Sequence, residues 1–299
     1  MFNTKLQRIL VVLVFPLFLT ACSSPMANNI LEEKEGSRNQ PADIELNGMF
    51  YEEVSFHSAL DNASNKKVQN NIQAIIVPHH LVASTYIADL TKMSSGRNIE
   101  RVIIIGPNHE NIGGQAISSA KLSWQTATEN LESDQAAVEQ FLYDLDLKED
   151  TKVFSNEHSI GAHVSFVKHY FPQAKILPIT FSSYAVLNDV EKVSQWLSAN
   201  YNESTLIIFS IDFSHYLAKP LADEKDAITR QLILDKDLEK ILELNNDYVD
   251  SPISLATALL FAKLQNLNTN IIYNGNSFDF LDVKPAETTS YFGISFTKE

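Results

Sequence analysis

The sequence predicts an α/β domain with a mainly parallel central sheet and helices on both faces. Three observations carry this. Short β-branched runs, apolar at every position, recur along the chain. Segments whose apolar residues are spaced by three and four lie between those runs. From about Met49 to Glu299 the chain is long enough for one large domain.

The continuous runs are read as strands buried on both faces. Ala74–Val77 ends at Pro78, and Val102–Ile105 ends at Gly106-Pro107. Ile176–Phe181 ends at Ser182-Ser183, and Leu206–Phe209 runs into Ser210. Ile271–Tyr273 ends at Asn274-Gly275, and Tyr291–Phe296 closes the chain. Phe50–Phe56 is expected to add an edge strand. Helical spacing appears in Thr85–Met93, Asp134–Leu145, Ala162–Tyr170, Val186–Ala199, Leu221–Leu244 and Ser254–Leu264. Helices alternating with buried strands are the pattern of a parallel sheet with both faces covered.

The N-terminus reads as an export signal. Lys5 and Arg8 form a positive start, and Ile9–Leu19 is apolar except for Pro16. That run is short for a membrane span, which takes about 20 residues. Leu19-Thr20-Ala21-Cys22 resembles the lipobox of bacterial lipoproteins, where the cysteine thiol is acylated and the bond before it is cut. The expected organisation is a signal peptide over 1–21, a flexible tether over 22–48 starting at lipidated Cys22, and a single folded domain over 49–299. Ser23-Ser24-Pro25 and the polar stretch Asn28–Asn47 suit a tether. Ser23, not Asp, follows the cysteine, so the usual sorting rule favours the periplasmic face of the outer membrane in a Gram-negative cell. The expected location is the cell envelope, with the membrane as partner through the lipid.

Cys22 is the only cysteine, so the domain folds without an internal disulfide. The formal net charge is −14, and about −16 once residues 1–21 are removed. An acidic body argues against nucleic acid and against a broad electrostatic grip on anionic lipid.

The chemistry-bearing residues cluster at predicted strand ends. His79 and His80 follow the first run, His109 follows the second, and Asp212 and His215 follow the fourth. In open α/β sheets, ligands bind outside the carboxyl ends of the strands. Three strands therefore deliver imidazoles to one edge of the sheet, and Glu157-His158-Ser159, in a loop before a helix, can join them. Imidazoles with a carboxylate suit a transition metal. Two histidines and one carboxylate suit non-heme iron, while zinc accepts any tetrahedral set of such groups. His57, His163 and His169 sit in ordinary contexts and read as structural.

Five segments occur in an order that resembles the MEMO family, which includes the B component of the AmmeMemoRadiSam system. They are Pro78-His79, Gly106-Pro107-Asn108-His109, Glu157-His158-Ser159-Ile160, Ser210–Tyr216 and Tyr291-Phe292-Gly293. The resemblance spans roughly Ile72–Phe296 and implies a fold similar to LigB-type extradiol dioxygenases, which are non-heme iron enzymes. It implies that His79 and His109 bind metal, that His215 is an acid or base beside it, that Asp212 orients His215, and that His158 lines the pocket. The implied cofactor is iron, with zinc or copper as alternatives. The implied ligand is a small molecule or a peptide.

The chain departs from the family pattern in three places. The family's third ligand resembles a cysteine, and Tyr248 stands at that position, before Val249-Asp250-Ser251-Pro252-Ile253. Asp250 or Asp247 is then the candidate oxygen ligand, unless the third position is lost. His80-Leu81 replaces Ala-Gly after the first histidine, and Gly161 replaces a glutamate after His158-Ser159-Ile160. Two readings of function follow: an iron-dependent oxidoreductase, or a non-catalytic lipoprotein that binds metal or peptide at a degenerate site.

Overall fold

The computed structural model describes residues 44–48, 52–63 and 66–299. The lipobox, Cys22 and the tether up to residue 43 lie outside the described residues. Among the described residues no helix is long and apolar enough to cross a membrane.

Ten strands are present among the described residues: β1 Ile44–Asn47, β2 Ile72–Val77, β3 Arg101–Pro107, β4 Ile117–Ser118, β5 Leu122–Gln125, β6 Leu131–Glu132, β7 Lys175–Phe181, β8 Thr205–Ser210, β9 Asn268–Asn276 and β10 Ser290–Thr297. The helices are α1 Glu53–Asp61, α2 Ser84–Met93, α3 Gln135–Asp144, α4 His158–Tyr170, α5 Leu187–Asn200, α6 Lys219–Asp235, α7 Leu238–Leu242, α8 Pro252–Leu264 and α9 Ser277–Phe280. The main sheet runs β4-β7-β3-β8-β2-β10-β9. Its centre, β7-β3-β8-β2, is parallel, and β4, β10 and β9 extend it antiparallel.

Side chains alternate between the two faces of a strand. Ile103 and Ile105 of β3 join one core, with Leu177, Ile207, Phe209 and residues of α3, α5 and α8. Val102 and Ile104 join a second, with Ile176, Leu206, Ile208 and residues of α2 and α4. Helices therefore cover both faces, as expected.

Four local readings are corrected. Glu53–Phe56 form the first turn of α1 rather than an edge strand. β1, at 44–47 within the stretch read as tether, is a strand that pairs with β5. The helical pattern Leu221–Leu244 breaks into α6 and α7 at Lys236, which takes a left-handed φ of 53°. β9 is only partly buried; Asn268, Asn270 and Asn274 flank the short apolar run Ile271–Tyr273 that suggested burial on both faces.

Candidate metal centre

The parallel strands aim their carboxyl ends at one edge. β2 and β3 flank β8 on its two sides, so His79 and His109 leave the sheet on either side of Ser210. Pro78 has no N–H to continue the ladder, and the next amide, His79 N, donates to Asp212 Oδ1 at 3.1 Å. After β3, His109 N donates to Glu157 Oε2 at 2.8 Å. Gly106 lets the start of α4 approach β3: a Cβ there would lie 2.5 Å from Ser159 Oγ. That approach brings His158, the first residue of α4, over the same edge.

The three imidazoles pack together. Ring centroids of His79 and His109 are 5.0 Å apart, those of His79 and His158 5.1 Å, and those of His109 and His158 3.9 Å in a stack. One possible ligand nitrogen from each lies within 4.8 Å of the other two. Two imidazoles are held through Nδ1. His109 Nδ1 lies 2.8 Å from Glu157 Oε1, and His79 Nδ1 lies 3.0 Å from Ser210 Oγ. The Nε2 atoms of both therefore face the centre.

Asp250 closes the set. Its Oδ2 is 3.2 Å from His79 Nε2 and 3.9 Å from His109 Nε2, and it accepts the Asp212 N–H at 3.2 Å. Its buried Oδ1 has no partner. Asp247 is exposed, whereas Asp250 stands beside His79 and His109. Tyr248 turns to the Lys225 ammonium at 3.1 Å.

The electrostatics follow from burial against charge. Burial opposes a proton on His79, but the carboxylates of Asp212 and Asp250 outweigh it and lift its pKa to about 9. Burial and the neighbouring His109 and His79 push His158 down to about 4. Burial works against the Glu157 charge, yet His109 and the amides of Ser159 and His109 hold its carboxyl down to about 2.

His79, His109, His158, Asp212, Asp250 and His215 line one cleft of ≈ 480 Å³. A second cleft of ≈ 370 Å³ shares His109 and Asp250. The predicted pairing of Asp212 with His215 is not made. Asp212 instead accepts the His79 amide and sits 3.6 Å from His79 Nε2, while His215 Nδ1 is buried without a partner. The carboxylate that orients a histidine here is Glu157, through His109. Sequence reasoning brought the Glu157-His158-Ser159 loop to this edge but gave Glu157 no role of its own; its place as the N-cap of α4 was the available signal.

His163, read as structural, is fully buried and bonds Ser210 Oγ from the far side. The substituted His80 meets the buried Tyr291 hydroxyl, which lies 2.6 Å from His80 Nδ1. Burial lowers the His80 pKa, so the phenol donates to a neutral ring. His57 and His169 lie apart from this edge, beside Phe56.

Three imidazoles and the nearby Asp250 carboxylate, whose buried Oδ1 is unpartnered, form a donor set that fits a divalent transition-metal ion. This defines an α/β protein with a strand-end histidine–carboxylate cleft. The chain belongs to the Memo-like protein family, whose model matches residues 45–266. It is 27% identical over 277 residues to a MEMO1 family protein of Caldivirga maquilingensis, covering 84% of this chain and 97% of the relative. It is 33% identical over 167 residues to a MEMO1 family protein of Methanococcus vannielii, covering 54% and 58%. A solved structure, uncharacterized protein JW3007 from Escherichia coli K12, is similar at a TM-score of 0.47 and 10% identity, over 75% of this chain and 99% of that one.

Proposed function

We propose that the chain is a metal-dependent oxidoreductase that uses iron at His79, His109 and His158, with Asp250 as an oxygen donor. The observation that carries this is the convergence of His79 Nε2 and His109 Nε2 on Asp250 Oδ2. A redox-active metal in such a set supplies Lewis acidity and one-electron chemistry. The chain's own residues bind and orient. Glu157 fixes the ring of His109, Asp212 fixes the backbone of His79, and His215 in the cleft wall moves a proton to or from a bound ligand. Metal analysis of the full chain purified without oxygen tests the reading. About one iron per chain is expected, lost in a His79→Ala/His109→Ala variant. Equal metal in both proteins overturns the site.

A second reading is a non-catalytic protein that captures metal or a peptide. It is favoured by Tyr248, which stands where the family's thiolate is expected and faces Lys225. Turnover of catechols or peptides that disappears in His215→Ala excludes it.

We also propose that the domain is lipid-anchored at the cell envelope. The support is Lys5, Arg8, the apolar run Ile9–Leu19 and the small residues before Cys22. Labelled palmitate is expected in the wild-type chain, with none in Cys22→Ser. Equal labelling overturns the anchor.

A further inference from the structure

Among the described residues, Asn111, Asp146, Tyr216, Lys236 and Asn266 have a positive φ without being glycine. Asparagine and aspartate enter the left-handed region readily. Lys236 ends α6, where such a turn is ordinary. Tyr216, at a φ of 57°, has neither reason. A bulky side chain there is strained, and it persists only where the surrounding structure over-determines it.

The neighbours of Tyr216 are tied on both sides. Before it, His215 N donates to Asn246 O at 3.1 Å, and Ser214 N donates to Ser290 Oγ at 2.9 Å. After it, Leu217 O accepts both the backbone N–H and the hydroxyl of Thr288, each at 2.8 Å. The turn between these anchors falls on Tyr216 and holds its side chain outward, 72% exposed. The ring centroid is 5.8 Å from that of His215. Tyr216 lines the ≈ 480 Å³ cleft together with His79, His109 and His158. An exposed aromatic alone is ordinary. Here a strained one stands at the mouth of a histidine cleft, and its exposure leaves little packing to offset the strain. Among the described residues no lysine or arginine lines this cleft, whereas Asp212 and Asp250 do.

We propose that Tyr216 is the stacking platform of a ligand subsite at the mouth of this cleft, and that the ligand presents a flat aromatic ring without negative charge. This deepens the function proposed above and rests on that cleft being the ligand site, but not on a metal. The face of a tyrosine ring attracts ring edges and cations, and the carboxylates below it disfavour an anion. The strained turn keeps the ring in place before the ligand arrives, so little side-chain freedom is lost on binding.

The test titrates the full chain, carrying ¹³C-labelled tyrosine rings, with a chelator present and no added metal. The probes are benzylamine, cyclohexylmethylamine, which has the same charge but no flat ring, and benzoate, which has the ring with the opposite charge. The Tyr216 signal is the one missing in Tyr216→Phe. Benzylamine is expected to give a saturable ring-current shift of that signal, and cyclohexylmethylamine none. Benzoate is expected to bind more weakly than benzylamine. Benzylamine affinity is expected to fall about three- to tenfold in Tyr216→Gly and to be kept in Tyr216→Phe. The urea midpoint of Tyr216→Gly is expected to be no lower than that of wild type, since glycine relieves the strain. No saturable Tyr216 shift, equal shifts with both amines, or wild-type affinity in Tyr216→Gly overturns the subsite. Benzoate binding as tightly as benzylamine overturns the charge assignment. A lower urea midpoint in Tyr216→Gly shows that the ring serves the fold and overturns the proposal. Because no metal is added, loss of the metal reading leaves these outcomes unchanged.

Discussion

Glu157 grips His109 at two points: Oε1 lies 2.8 Å from the ring Nδ1, and Oε2 accepts the backbone N–H at 2.8 Å. The same carboxylate accepts the Ser159 amide at 2.8 Å and caps α4. One side chain thus sets a ring, a loop and a helix start. Glu157→Ala is expected to weaken metal affinity about 10–100-fold and to cost about 1 kcal/mol of stability through the lost cap. Metal titration and urea unfolding measure the two effects separately.

His158 and Asp250 both stand beside the His79–His109 pair, and the proposed site uses both. His158→Ala and Asp250→Ala are each expected to weaken binding of a divalent metal at least about tenfold, the scale on which even outer-shell partners act. Competition with a coloured chelator gives the dissociation constants. A variant that binds as tightly as wild type removes its residue from the donor set.

Gly106→Ala places a methyl 2.5 Å from Ser159 Oγ and 2.7 Å from Ser159 Cβ. The start of α4 must retreat, carrying Glu157 and His158 with it. The expected cost is about 1–3 kcal/mol, with metal affinity falling as well. Thermal unfolding with and without metal separates the parts.

His163 links stability to pH. Burial, helped by His79, holds its pKa down to about 3, against 6.5 for an ordinary imidazole. The unfolded chain therefore binds the extra proton as pH falls. The stability this group contributes is fully present above pH 6.5 and drains away between 6.5 and about 3, at up to about 1.4 kcal/mol per pH unit. In His163→Leu this slope is expected to shrink by that proton. Urea midpoints of both proteins at pH 7, 5.5 and 4.5 show it; parallel losses in the two would contradict it.

Much of the fold was legible because the central strands carry near-continuous apolar runs, the pattern expected of strands buried on both faces. β2, β3, β7 and β8 all fall where the runs Ala74–Val77, Val102–Ile105, Ile176–Phe181 and Leu206–Phe209 lie. The strand-end position of His79 and His109 followed from the same runs. The break at Lys236 was hidden because lysine gives no sign of a left-handed backbone; only glycine or asparagine would have. The contact between His163 and Ser210 was hidden for another reason. A histidine inside an apolar helix reads as core, and nothing local says that Ser210, 47 residues away, waits at its tip. Asp212 was placed at the right edge but given the wrong partner, because sequence proximity favoured His215 over His79, 133 residues distant.

That 133-residue separation has a consequence for the order of events in the life of the chain. The donor groups come from the ends of β2 and β3, the start of α4 and the turn before α8. No short fragment contains them, and they meet only when β8 has docked between its neighbours. An ion bound as proposed would therefore meet its donors only after these elements pack, unlike in small zinc-nucleated domains. The ion taken up would then be set by what is available where folding finishes.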